Sequence, residues 1–107
     1  MPVLSMMRML GDPEDLLQRI REHVEPVTER HALTHGALLN VVTRDGDNGI
    51  LIVNLWETEE GRHAMAEEPE IREAVAKAGL PAPAFEGYEV LAMRGTEKLS
   101  EHATIIG

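Results

Sequence analysis

Cysteine is absent from this 107-residue chain, and aromatic side chains are nearly so, with one Trp, one Tyr and one Phe. Without thiols there can be no disulfide, no thiolate nucleophile and no cysteine-ligated metal, and nothing in the redox chemistry places the chain outside the cell. Basic residues are also scarce, 10 Lys and Arg against 19 Asp and Glu, for a formal charge of -9. A surface of that sign repels phosphate backbones and anionic lipid, so no nucleic-acid or membrane partner is expected. No apolar run approaches the ~20 residues that span a bilayer, and Met1 to Met7 lack a basic leader before an apolar segment; the expected location is cytoplasmic. A phosphate-cradling glycine loop, a Gly-x-Ser-x-Gly elbow and paired carboxylates in apolar surroundings are missing too, which leaves nucleotide-dependent, serine-hydrolase and glycosidase chemistry unsupported.

What is present is a set of short elements sized for one domain. Ile50 to Thr58 reads as a strand, and neither of its alternating faces, Ile50, Ile52, Asn54, Trp56 or Leu51, Val53, Leu55, Glu57, is the polar face of a half-exposed strand. It therefore belongs in the middle of a sheet. Ahead of it, Ala37 to Arg44 is a second strand, joined to it as a hairpin by Asp45-Gly46-Asp47-Asn48-Gly49. Val3 to Met9 is a first strand, and Phe85 to Met93 alternates as a fourth.

Two helices complete the order. The first starts at Asp12-Pro13 with an N-cap and a proline at its first position, and runs through Leu16, Leu17, Ile20, Val24 and Val27. Pro26 should end or kink it near Glu25. The second starts at Thr58, breaks at Pro69 and stops at Gly79. Strand, helix, strand, strand, helix, strand is the split βαβ pattern, an α+β ferredoxin-like βαββαβ fold with a four-stranded antiparallel sheet and both helices on one face. Residues 1–94 form that domain, and 95–107 a tail or dimer arm. Helices on one side leave the other apolar face bare, so a homodimer packed sheet to sheet is expected.

The apolar third strand ending in Asn54-Leu55-Trp56-Glu57-Thr58, the acidic helix start after it and the proline-broken second helix resemble the dimeric α+β barrel proteins grouped with antibiotic biosynthesis monooxygenases. That resemblance covers roughly residues 3 to 94. It implies a small apolar or aromatic ligand between sheet and helices, and an enzyme, if the chain is one, that oxygenates an aromatic or quinone-like substrate without a cofactor. The haem-degrading branch of the group does not fit. Registered on Trp56-Glu57-Thr58, its tryptophan and haem-ligating histidine fall on Met65 and Val75, and its strand-one asparagine near Met7, so no cofactor is expected.

Candidate catalytic residues are Asn54 and Trp56, which share a face, and His63 in the second helix. The Asn54 amide can orient a carbonyl, the indole can stack on an aromatic ring and donate its N–H, and His63 can act as a base near neutral pH. Each has a plain counterpart: Trp56 as core filler, Asn54 paired with backbone or with Asn40, His63 as a half-exposed surface residue. The methionines Met6, Met7, Met9, Met65 and Met93 can line an irregular cavity or pack an ordinary core. His31 and His35 stand four apart, but Leu33, Thr34 and Gly36 suggest that the helix has ended, and no metal site is expected. The alternative function is a non-catalytic ligand-binding or structural dimer with a filled interior.

Overall fold

The computed structural model describes residues 1–107. Its strands are β1 (Val3–Leu10), β2 (Ala37–Arg44), β3 (Gly49–Trp56) and β4 (Ala84–Glu89), all antiparallel in the order β2-β3-β1-β4. β3 is internal, as its two apolar faces require. The helices are α1 (Pro13–Arg19), α2 (Glu25–Ala32), α3 (Glu59–Ala66) and α4 (Pro69–Ala78), and a short 3₁₀ turn occupies Glu97–Glu101.

Local signals set the helix starts. The Asp12 carboxylate accepts from the Asp15 N–H at 3.0 Å and Thr58 Oγ1 from the Gly61 N–H at 3.0 Å, each satisfying an otherwise free donor of a first turn. Gly79 closes α4 in the left-handed conformation, φ 64°, and Arg19 Nη1 reaches across to donate to its carbonyl at 3.1 Å.

Pro26 acts differently from expectation. The chain neither stops nor loosens there. A π-helical turn, Ile20–Val24, joins α1 to α2, with the Glu25 N–H bonded to Ile20 O five residues back, and regular α-helix continues to Ala32. Proline supplies no donor, and the wide turn just ahead of it absorbs the resulting mismatch in the ladder.

Two further departures concern strands. β2 carries an irregularity between Ala37 and Leu39, so Ala37 pairs with Trp56 and shares a face with Asn40 and Val42 rather than with Leu39 and Val41. β4 ends at Glu89, not Met93: Glu89 pairs with Val3, the first residue of β1, the Val90 N–H still bonds Pro2 O at 2.9 Å, and Leu91 is 89 % exposed.

The helix-side face of the sheet carries two apolar clusters. Met9, Leu16, Ile50 and Ile52 form one, with Met7, Ile20, Val42 and Leu80 against them; Trp56, Met65 and Ile71 form the other, with Val3, Val27, Ala37 and Val75. The methionines thus do not converge: Met9 and Met65 sit in separate clusters, Met6 lies on the opposite face of β1, and Met93 is half exposed. That opposite face, with Leu4, Met6, Leu39, Leu51, Val53 and Leu55 at its centre, is covered by none of the chain's helices.

Candidate functional site

Between the two clusters the register lays a row of small and polar residues straight across the sheet. Asn40 pairs with Asn54, Asn54 with Ser5, and Ser5 with Gly87, and directly paired residues share a face, here the one the helices cover. Its exposure is graded: Asn40 is exposed, Asn54 half-buried, and Ser5 only 2 % exposed.

Hydrogen bonds run along this row and into the core. Asn40 Nδ2 donates to Asn54 Oδ1 at 2.6 Å, the pairing the sequence offered as one option. Trp56 Nε1 donates to Ser5 Oγ at 3.2 Å, inside the core. Polar groups at such depth need partners, and every fully buried side-chain nitrogen or oxygen has one. Because Asn54 bonds Asn40 through its oxygen, its amide nitrogen remains available as a donor. Ser5 was not among the sequence candidates: a serine in an apolar strand carries no motif, and only its pairing opposite Asn54 marks it.

The three candidates do not meet at one point. Trp56 is buried against Met65 and Ile71, with its N–H given to Ser5. His63 is exposed on α3, about 200° around the helix axis from the buried Met65. Beside it the Arg62 guanidinium, through hydrogen bonds to the carboxylate, holds Glu59 below the usual carboxylate range, and Arg62 also lies 4.9 Å over the Phe85 ring. Two surface clefts, of about 410 and 370 Å³, lie elsewhere: one between α2 and α4 around Pro26, Val27 and Ala74, the other along α1 at Leu17 and Gln18.

Comparison with known proteins adds the fold. No family model matches the chain, and no curated protein matches it. Solved structures do. A protein from Chloroflexus aurantiacus J-10-fl with the provisional name antibiotic biosynthesis monooxygenase is 18 % identical, with a TM-score of 0.64 over 89 % of this chain and 98 % of that one. SnoaB, a cofactor-independent oxygenase from Streptomyces nogalater, superposes in a mutant form at 12 % identity and TM-score 0.67, over 86 % of this chain and 95 % of its own. Rv0793 from Mycobacterium tuberculosis gives 13 % and 0.67, over 89 % and 100 %. Identities this low speak for architecture and leave chemistry to the residues. The chain has the ferredoxin-like α+β fold shared by proteins named antibiotic biosynthesis monooxygenases.

Proposed function

We propose that the protein is a homodimeric α+β barrel that binds a small phenolic or quinone-like molecule at the outer end of the Asn40–Asn54 row and oxygenates it without a cofactor. The observation that supports this most is the row itself: an amide donor left available at a half-buried position, on a sheet face otherwise given to apolar packing. A donor in such a place stabilises a phenolate or enolate oxygen more than water does, because the surroundings screen it less.

The chemistry asks little else of the protein. A hydroxyanthrone-type substrate releases a proton to solvent, and its anion gives its electrons to O₂ and forms a C–O bond; the peroxide anion takes a proton back and then loses water to leave a carbonyl. One O₂ is consumed, one oxygen atom stays in the quinone, and the other leaves as water, with the substrate as reductant. Asn54 holds the oxyanion, and Asn40 fixes the Asn54 amide. Trp56 acts as a positioning residue by holding Ser5 beneath them.

The fold's likeness to SnoaB supports the reaction class, and the burial of Trp56 favours the second reading, a non-catalytic dimer. Oxygen uptake with a panel of hydroxyanthrones and hydroquinones, run with EDTA present, separates them. The oxygenase reading expects O₂-dependent product and a loss of at least about tenfold in Asn54→Ala, the scale of one lost oxyanion donor or somewhat below it. No turnover, or turnover equal in Asn54→Ala, overturns it.

A further inference from the structure

The continuation of α2 past Pro26 brings together residues that the sequence separates. His31 lies in the last turn of α2, and the His35 N–H still bonds His31 O at 3.3 Å, so helical spacing persists beyond Ala32. The two imidazoles stack with centroids 6.3 Å apart and planes at 26°. Facing them is the start of α4: His35 Nε2 donates to Glu68 Oε1 at 2.9 Å, and His31 Nε2 to Glu70 Oε2 at 2.7 Å. One donor atom each from His31, His35 and Glu68 lie within 4.8 Å of one another, and all three residues are partly buried.

We propose that His31, His35 and Glu68 form a binding site for a divalent first-row transition cation such as Zn²⁺, independent of the oxygenase site. Two imidazoles and one carboxylate are a donor set that zinc accepts, with a fourth position left to water. Around a single ion the donors would stand roughly 3.4 Å apart, given metal–ligand distances of about 2.0–2.2 Å. Modest torsions of the three side chains close the gap from the present spacing, and Glu70 stays with Arg30 when His31 turns to the ion.

The backbone holds the site in advance. Gly36, at φ 74°, turns the chain immediately after His35, and its carbonyl is fixed by the Glu57 N–H at 2.8 Å. Gly61 of α3 packs so closely that an added Cβ would lie 2.1 Å from the His35 carbonyl oxygen. His35 therefore has little freedom to lose on binding. The chain's charge of -9 favours a cation as well. Bound there, an ion would tie the end of α2 to the beginning of α4, elements joined otherwise by side-chain ion pairs and packing.

Calorimetric titration of the metal-stripped 107-residue protein with Zn²⁺, and visible absorption on titration with Co²⁺, test this. The expected result is one ion per chain, with Co²⁺ bands more intense than those of the hexaaquo ion. Affinity should fall at least about tenfold in His31→Ala, His35→Gln and Glu68→Gln, and stay unchanged in His102→Ala. His35→Gln keeps a donor for Glu68, so a far-UV spectrum like that of the parent shows that the loss is of the ligand and not of the fold. Absence of saturable binding overturns the proposal, as does binding of equal strength in the three ligand variants.

Discussion

Ser5 shows how a single hydroxyl can govern a core. It is 2 % exposed, and it accepts the only hydrogen bond that the buried Trp56 indole donates. Ser5→Ala would leave that N–H dry and unpaired, at a cost of about 1–3 kcal/mol, whereas Trp56→Phe removes the donor along with the need for a partner. The two changes should therefore be non-additive: in chemical denaturation, Ser5→Ala should cost clearly less in a Trp56→Phe background than in the wild type. Equal costs in both backgrounds would mean that the Ser5 hydroxyl does not serve the indole. At this scale the sequence was informative about types and silent about pairs. Asn54 and Trp56 stand out because they are a polar and a large aromatic residue in an apolar strand, and Asn40 follows from the hairpin. Ser5 and Glu68 do not, since their meaning lies in partners 51 and 33 residues away.

Elements were legible where local chemistry decides them, as at Asp12-Pro13, Thr58 and Gly79, and less so where a neighbour decides. The bulge that turns Ala37 to the helix side, and the loss of pairing that ends β4 at Glu89, both depend on the strand alongside. The π turn ahead of Pro26 is of a third kind: proline marked the place, but a missing donor alone does not say whether the helix bends, stops or widens, and the segment that widens, Ile20–Val24, is the one that lies against α4. Gly61 tests the junction these elements make. In an exposed helix, Gly→Ala stabilises by roughly 0.5–1 kcal/mol, so propensity alone predicts a firmer α3. Here the new methyl would meet the His35 carbonyl oxygen at 2.1 Å, a contact with backbone that side-chain rotation cannot relieve. Gly61→Ala should instead destabilise by about 1–3 kcal/mol, the usual range for overpacking, and lower the melting temperature. A variant as stable as the parent would show that α3 and the end of α2 are not tightly seated.

The sheet face turned away from the helix-side clusters has an apolar, partly exposed centre. Its central rows are Val41, Val53 and Met6, and Leu39, Leu55 and Leu4, each set by direct pairing across β2, β3 and β1. At the margins stand Arg8, ion-paired with Asp45 at 2.8 Å, and Glu86, which the Tyr88 hydroxyl engages, holding the phenol above its ordinary pKa. An apolar centre with a polar rim is what a second copy would cover, and a twofold contact lets one patch complement itself. The proposed homodimer therefore predicts sedimentation at twice the 11.8 kDa of one chain at micromolar concentration. Val53→Arg would place an unpaired charge, and its symmetry mate, near the centre of that contact. Burying them should weaken dimerisation by at least about a hundredfold, while the fold, whose helix-side core lies on the other face, keeps its far-UV spectrum. The proposed oxygenase site faces the helices, so the variant also separates assembly from chemistry: product formation that survives in a monomer would show that the dimer stabilises the fold without completing the site. A wild-type chain that sediments as a monomer, or a Val53→Arg protein that remains dimeric, would show that sheet-to-sheet packing is not how this face is used.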